Sequence, residues 1–211
     1  MSNSSPNGGL SKTRIEALTD GIFAIAMTLM VFDIKVPVVT RVAGFSLRHE
    51  LWQLWPRFLA YAISFVMLGV YWVGHHNQYD YIRRTDRVFL WINIFFLMCA
   101  SSVPFSTSLL GQYPAESTAV IVYGLNLMML GGFLYAHWWY ATHDHRLVEK
   151  DVHPELVTLA KRRILMGVVA SMVAICLSFV STRLSLAVFT LIPLLYLLPG
   201  RIDRHWIRSL R

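Results

Sequence analysis

The side chains of this 211-residue chain that could do chemistry fall into two groups. The first is an acid inside an apolar run, Asp20, together with polar residues in or beside other apolar runs that could meet it: His75, His76, Asn77, Trp91 and Asn93. The second group lies in the charged segment "ATHDHRLVEKDVH", where solvated loop side chains are a simpler interpretation than a metal site. No Gly-x-Ser-x-Gly, His-Glu-x-x-His or phosphate-binding loop is present. The sequence therefore predicts neither an enzyme nor a bound cofactor.

The composition predicts that most of the chain lies in lipid. Hydrophobic residues make up 55%, charged residues only 15%, and the mean hydropathy is +0.50, whereas about a quarter of a typical soluble domain is charged. The basic residues behind the net charge of +7 sit between apolar runs, as in the cytoplasmic loops of membrane proteins. This charge therefore does not indicate a nucleic-acid partner. The two cysteines, Cys99 and Cys176, lie inside apolar runs and imply no disulfide framework.

Six apolar segments are predicted to be membrane helices, since a helix needs about 20 residues to cross a bilayer and none of the runs alternates as a barrel strand would. They cover approximately Ile15–Val36, Leu54–His76, Val88–Leu110, Ala119–Tyr140, Ile164–Ser181 and Leu184–Leu198. A short amphipathic helix is expected around Phe45–Trp55. Placing both termini in the cytoplasm puts most of the 19 Lys and Arg residues on the cytoplasmic side.

The predicted architecture is an all-α integral membrane protein of the cell membrane with six transmembrane helices. Residues 1–13 form a disordered polar N-terminus, residues 14–199 the six-helix domain, and residues 200–211 a basic cytoplasmic tail.

The first predicted helix has two distinct faces. At about 100° per residue, an apolar stripe runs along one face, and Asp20 points about 140° away from its centre at Ile25. The stripe consists of Leu18, Ile25, Leu29, Phe32 and Val36, with Ile22 and Thr28 on its flanks. An ionisable group at membrane depth usually faces a protein partner, so Asp20 is expected to accept hydrogen bonds from imidazole, indole or amide groups of the next two helices. Headgroup contact for Asp20, and ordinary packing or lipid contact for the stripe, are the alternatives.

The segment "RIEALTDGIFAIAMTLMVFDI" resembles the first helix of the transmembrane protein 175 family, whose signature is Arg, three residues, then Phe-Ser-Asp. The second and third helices, "LWPRFLAYAISFVMLGVYWVGHHNQY" and "LWINIFFLMCASSVPFSTSLLGQY", also match the family pattern. The last three helices resemble it mainly in hydropathy. Here Leu18 replaces the aromatic residue of the signature, while Thr19 keeps the hydroxyl and Asp20 the acid.

The resemblance implies a bacterial inner-membrane potassium channel in which four copies form a central pore lined by the first helix. It implies a hydrophobic gate at Ile25 with further rings at Leu29 and Phe32, and transient K⁺ coordination at Thr28. The Thr-Val-Gly-Tyr-Gly filter is absent here, so a leak-like channel with modest selectivity for K⁺ over Na⁺ is expected. The pore helix would be anchored by Arg14, Thr19 and Asp20 of the motif with the polar layer of His75, His76, Asn77, Trp91 and Asn93. The implied partners are other copies of the chain, K⁺ and membrane lipids.

A proton-coupled secondary transporter, with Asp20, His75 and His76 as a proton relay, is the rival interpretation. Such transporters usually carry paired repeats with broken helices. The helix breakers Pro104 and Pro193 do not form such a pair, so the channel interpretation is preferred. Whether His75 or His76 changes charge near pH 6 or stays neutral and hydrogen-bonded is left open.

Overall fold

The computed structural model describes residues 12–37 and 46–197, and within them the chain is helical. The helices are α1 (Lys12–Leu29), which a 3₁₀ turn (Met30–Asp33) continues, α2 (Leu47–Gln53), α3 (Trp55–Tyr81), α4 (Arg87–Gln112), α5 (Ser117–Thr142), α6 (Pro154–Ser178) and α7 (Thr182–Leu197). A second 3₁₀ turn covers His143–His145. The predictions of a disordered N-terminus and a basic tail fall almost entirely outside the described residues.

The prediction of an all-helical membrane protein is confirmed. Four segments are long and apolar enough to cross a membrane: α1 with its 3₁₀ turn, α3, α4, and α5 with the turn that follows it. α7 is a shorter apolar helix, and α6 begins with charged turns before its apolar part. The short helix expected in the linker is present as α2.

Three helix boundaries differ from those that hydropathy predicts. α3 continues to Tyr81 rather than ending near His76, so His75, His76 and Asn77 belong to a regular helix. α6 begins at Pro154, well before Ile164, because Pro is favourable in a first turn and the polar residues after it can still form a helix. α1 ends at Leu29 and tightens into the 3₁₀ turn instead of continuing to Val36.

The buried side chains form two clusters. The larger one joins α1, α3, α4, α5, α6 and α7, and includes Phe23, Phe96, Tyr123 and Phe189. The smaller one lies where α1, α3, α4 and α5 meet the loop after α5; its members are Ile15, Tyr79, Ile82, Phe89, Ala141, Leu147 and Val148. Ile82 and Val148 form an isolated antiparallel bridge that ties this loop to the end of α3.

α5 packs closely on α6 because glycines line its contact face. A Cβ atom added at Gly124 would lie 2.6 Å from Ile175 Cγ1, and one added at Gly131 would lie 2.8 Å from Val168 Cγ2. Small residues at membrane-helix contacts allow backbones to approach each other, which is the main source of packing energy where lipid is as apolar as the side chains. The α5–α6 pair is therefore a rigid part of the scaffold.

Gly124→Ala is expected to lower the free energy of unfolding by about 1–3 kcal/mol, because the added methyl group must displace a buried isoleucine. The measurement is the thermal unfolding midpoint in detergent. Gly132→Ala is the matched control, since a Cβ at this α5 position meets no atom within 4 Å. Equal midpoints for the two variants would contradict the assigned close contact.

Candidate functional site

α1 packs against the rest of the chain with one face only. Its buried residues Phe23, Ala26 and Met30 are at most 2% exposed, whereas Ile25 is 59% and Phe32 74% exposed. Leu18 and Leu29, the other members of the apolar stripe on the α-helical part of α1, are also exposed. Within a single chain, no described helix covers the stripe.

The exposed sector of α1 extends beyond the stripe to a row of small residues. Ala17, Gly21, Ala24 and Thr28 are all exposed, and a Cβ added at Gly21 would meet nothing within 4 Å. About half of the helix circumference is therefore uncovered, with bulky apolar side chains on one part and small side chains on the other. Such an arrangement leaves room for another helix to approach closely beside the stripe.

Thr28 presents a hydroxyl oxygen beside the stripe. Its Oγ1 lies 2.9 Å from the carbonyl oxygen of Ala24 and 3.0 Å from that of Ile25, so its single proton is donated to the backbone of its own helix. The lone pairs of Oγ1 can then act as an acceptor toward the uncovered side. Oxygen atoms of this kind are the groups that replace the hydration shell of an alkali cation.

Asp20 accepts a hydrogen bond from an indole, but the tryptophan is Trp72 of α3, which the sequence analysis did not include. The Nε1–Oδ1 distance is 2.8 Å, and the Trp72 ring stacks on His76 with 5.6 Å between ring centroids. Trp72 lies one helical turn before His76, so the two side chains are on the same face of α3. This spacing in the sequence was the signal that could have identified Trp72. Asp20 remains exposed in the single chain.

A second acid fixes the other end of α1. Asp33 Oδ1 accepts a hydrogen bond of 2.7 Å from Ser108 Oγ, and Gln112 of the same helix, α4, lies 3.4 Å from this oxygen. Between the two acids, Phe23 packs against Phe96 of α4 with ring centroids 5.6 Å apart. Lys12 Nζ also donates to the carbonyl oxygen of Tyr79, so α1 and its 3₁₀ turn are held by polar contacts at Lys12, Asp20 and Asp33, with an apolar contact between the two acids.

His75 and Asn93 meet in the buried interior. His75 Nε2 lies 3.0 Å from Asn93 Oδ1, and the imidazole stacks on Phe96 and Tyr79. This contact requires a proton on Nε2, because an amide oxygen only accepts. His75 and Asn93 therefore hold α3 against α4.

A second histidine–amide pair lies beside the first. His137 of α5 has its Nδ1 2.7 Å from Gln78 Oε1, and Gln78 Nε2 donates to the carbonyl oxygen of Leu134. The His75 and His137 rings are 5.2 Å apart. His137 Nε2 and the Tyr79 hydroxyl are both buried without a hydrogen-bond partner among the described residues.

The polar residues that the sequence placed in one layer are therefore divided between separate environments. Asp20 and His76 both contact Trp72, while His75 pairs with Asn93 in the core, because adjacent residues of a helix point about 100° apart. Trp91 is exposed and packs beside Phe95.

The other members of the predicted anchoring network make no polar contact with it. Asn77 lines a groove between α3 and α6. Arg14 is exposed and has no hydrogen bond or ion pair to a described residue, and the buried Thr19 Oγ1 is likewise unpartnered in this part of the chain.

The histidines after α5 form a local contact on the surface. His143 Nδ1 lies 3.0 Å from Asp144 Oδ2, and both side chains are largely exposed. Among the residues that the structure describes, no set of three or more His, Cys, Asp or Glu side chains is arranged to hold a metal ion.

The sequence of this chain is similar to those of known potassium channels. A family model described as the endosomal/lysosomal potassium channel TMEM175 matches residues 14–104. A relative from Streptomyces collinus named as a potassium channel is 35% identical over 187 residues, which cover 87% of this chain and 90% of the relative. A potassium channel of Chamaesiphon minutus is 36% identical over 178 residues, which cover 83% and 88% of the two chains.

The fold is also similar to a solved structure. The crystal structure of a lysosomal potassium-selective channel TMEM175 homolog from Chamaesiphon minutus superposes with a TM-score of 0.78 at 34% sequence identity. The superposition covers 88% of this chain and 95% of that one. The similarity therefore extends over the helices that carry the exposed stripe and those that support it.

Asn93→Ala is expected to lower the free energy of unfolding by about 1–3 kcal/mol more than Asn126→Ala, because only the first substitution leaves a buried donor, His75 Nε2, unpaired. Both asparagines are buried, but the Asn126 Oδ1 has no partner to lose. The measurement is the denaturant or thermal midpoint in detergent. Equal destabilisation by the two substitutions would show that the His75–Asn93 bond contributes nothing beyond packing.

Proposed function

The chain belongs to the TMEM175 family of potassium channels, and from this membership we propose that it conducts K⁺ through a pore lined by α1 of four copies. The observation that carries the proposal is the uncovered apolar stripe of α1 in a helix whose opposite face is fully packed. In the proposed arrangement the stripe faces the central axis, and the row of small residues, Ala17, Gly21 and Ala24, lies against the neighbouring chain. This arrangement accounts for both the bulky and the small side chains of the exposed sector.

Lipid contact is a poorer explanation of the same sector. Elsewhere on the chain, exposed apolar positions carry bulky side chains such as Phe105, Phe179 and Leu195, as lipid-facing surfaces do. The α1 sector instead contains a glycine, two alanines, a hydroxyl and an acid. Small and polar residues in membrane helices favour helix–helix contact. These features support an interior position for α1 in an assembly.

The proposed membrane topology has six spans, formed by α1, α3, α4, α5, α6 and α7, with both termini in the cytoplasm. It is supported by the positive-inside rule, because the loops after α3 and α5 and the start of α6 carry basic residues. The two matched potassium channels come from bacteria, which supports a bacterial cell membrane as the location.

Ile25 is proposed as the narrowest hydrophobic ring of the pore. Four isoleucine side chains around an axis form a constriction that excludes water when narrow and passes ions when it widens. Leu29 and Phe32 would form further apolar rings, Leu29 about 6 Å along the helix from Ile25. Phe32 lies in the 3₁₀ turn and is among the most exposed apolar side chains of the described residues.

Thr28 is proposed to coordinate a partly dehydrated K⁺ ion. The support is its position beside the stripe and the backbone hydrogen bond that consumes its only proton. A ring of hydroxyl oxygens provides a weaker field than charged ligands and fewer ligands than a carbonyl filter. Selectivity for K⁺ over Na⁺ is therefore expected to be modest.

Asp20 and Asp33 are proposed to hold the pore helix in orientation. Their hydrogen bonds to Trp72 and Ser108 connect α1 and its 3₁₀ turn to α3 and α4 at two levels along the helix. Loss of either bond would let α1 rotate or tilt, which would displace the ring side chains from the axis. Both acids act on the pore through the position of α1.

The transporter interpretation gains no support from the described geometry. Asp20, His75 and His76 do not form a hydrogen-bonded relay there, since His75 bonds to Asn93 and His76 stacks on Trp72. Recording of the purified protein in bilayers separates the two functions. A channel gives unitary current steps that follow the K⁺ gradient, whereas a transporter gives saturable flux that depends on the proton gradient.

Ile25→Asn is expected to raise the basal K⁺ current several-fold, because a polar ring keeps the constriction wet. The measurement is steady-state current of reconstituted protein at equal protein density. Ile94→Asn is the matched control, as Ile94 is also exposed but lies on α4. Wild-type current in Ile25→Asn, or an equal rise in Ile94→Asn, would contradict a gate at Ile25.

Thr28→Val is expected to shift the reversal potential measured with K⁺ on one side and Na⁺ on the other toward zero, because it removes the coordinating oxygen and keeps the side-chain shape. Thr158→Val is the control, since Thr158 is exposed and its hydroxyl also donates to the carbonyl four residues earlier, that of Pro154. An unchanged reversal potential in Thr28→Val would exclude Thr28 as a selectivity residue.

A further inference from the structure

An apolar groove lies between α3 and α6, away from the stripe of α1. It encloses about 500 Å³, within the range of about 300–1,000 Å³ that ligand pockets usually occupy. α5 and α7 contribute to its walls through Leu134, Trp138 and Tyr196, and Met27 of α1 reaches its edge. Val73 and Phe65 on its rim remain exposed. The described helices thus leave a lined space open at the outer surface of the chain.

Small residues on the facing helices keep this groove open. Gly69 of α3 and Ala160 of α6 line it, whereas Tyr196 fills the space beside Gly167, where an added Cβ would lie 2.8 Å from the Tyr196 hydroxyl. A Cβ added at Gly69 would meet no atom of the described residues within 4 Å, so these residues leave the space beside this glycine empty. The role of this glycine differs from that of Gly124 on α5, where the neighbouring helix fills the corresponding space.

The groove is polar at one end and apolar along the rest of its length. Asn77, Tyr81 and Arg163 line one end, while Phe65, Val66 and Gly69 line the other. From Phe65 to Tyr81 the α3 helix rises about 24 Å at 1.5 Å per residue. One leaflet of a bilayer has about 15 Å of hydrocarbon, half of the total thickness of about 30 Å. The groove is therefore long enough to hold an acyl chain along its whole depth in one leaflet.

Arg163 is held at the polar end by contacts with α7. Its Nη2 donates to the carbonyl oxygen of Tyr196 at 3.1 Å, and its guanidinium lies over the Tyr196 ring, 5.4 Å from the centroid. The Tyr196 hydroxyl in turn donates to the carbonyl oxygen of Arg163. A positive charge is thus fixed in the wall of the groove.

We propose that this groove binds an acyl chain of an anionic phospholipid whose phosphate group lies beside Arg163. The inference rests on the proposed membrane topology, which places the Arg163 end at the cytoplasmic leaflet. Basic residues near the cytoplasmic membrane surface attract anionic headgroups. The apolar length of the groove suits an acyl chain. The Arg163 guanidinium, the Asn77 amide and the Tyr81 hydroxyl suit a charged headgroup at one end of the lipid.

A neighbouring chain fits the groove less well than a lipid does. A helix with its side chains is about 10–12 Å across, whereas an acyl chain is a thin flexible rod that can follow a cavity lined on several sides. The extended shape and the terminal charge favour the phospholipid.

The first experiment measures phospholipid binding to the full-length purified protein by native mass spectrometry, with phosphatidylglycerol and phosphatidylcholine of the same acyl chains as probes. The wild type is expected to retain phosphatidylglycerol at least several-fold more than phosphatidylcholine. Gly69→Leu, whose Cβ meets no described atom within 4 Å and whose larger side chain enters the groove, is expected to lose most of this binding. Gly132→Leu, an equally unobstructed glycine on α5 outside the groove, is expected to bind as the wild type does.

Arg163→Gln tests the headgroup contact and is expected to remove the preference for phosphatidylglycerol while some binding of both lipids persists. Equal retention of the two lipids by the wild type, or full binding in Gly69→Leu, would overturn the proposal. These readouts do not depend on current, so they distinguish failure of the lipid site from failure of the proposed channel function.

A second experiment covers the case in which Gly69→Leu also disturbs assembly. Phosphatidylglycerol with a photoreactive group in its acyl chain is crosslinked to the wild-type protein, and the labelled peptides are identified. Labels within 65–81 of α3 and 156–167 of α6 are the expected result. Labels confined to other segments would overturn the proposal.

Discussion

The attachment of α1 to α3 and α4 by one face only is the constraint on which the rest of the molecule depends. The buried face contributes Phe23, Ala26 and Met30 to the core, and Asp20 and Asp33 each accept a hydrogen bond from a neighbouring helix. Because carboxylates at membrane depth are costly without partners, these two bonds favour the same rotation of α1 about its axis as the buried face does. The same rotation leaves Ile25, Thr28 and Leu29 uncovered. Holding the helix and exposing its other face are therefore two results of one packing arrangement.

The interior of the chain is more polar than its hydropathy suggests, and the pairing of those polar groups explains why the interior is stable. His75 bonds to Asn93 and His137 to Gln78, so four large polar side chains share a small buried volume among aromatic rings. Buried polar groups are tolerated when they are paired, and each pair here joins side chains whose spacing only one arrangement of helices satisfies. Specific pairing of this kind selects one register among the many that apolar faces alone would allow.

Glycines on α5 and on α3 have opposite effects on packing. On α5, Gly124 and Gly131 let α6 approach until side chains fill the space above them, which makes this pair of helices rigid. On α3, Gly69 faces a space that no described side chain fills, in the groove whose other end is lined by Arg163. The first use of glycine stabilises the fold, and the second leaves a surface for a molecule outside the chain. A scaffold that is tight around α5 can carry a mobile or ligand-filled region near α3 without losing its overall arrangement.

The amino-acid sequence by itself determined the helical class, the membrane location, the apolar stripe of α1 and the need of Asp20 for a partner. Each of these depends on properties read along one segment, namely hydropathy, helical periodicity and the cost of a charge in lipid. Only the tertiary structure decided that the partner is Trp72, that Asp33 bonds to Ser108, and that His75 and His76 enter different environments. The groove beside Arg163 likewise required the relative positions of α3, α5, α6 and α7. Contacts between helices depend on their axial offset and rotation, and these are set jointly by all the side chains of the core.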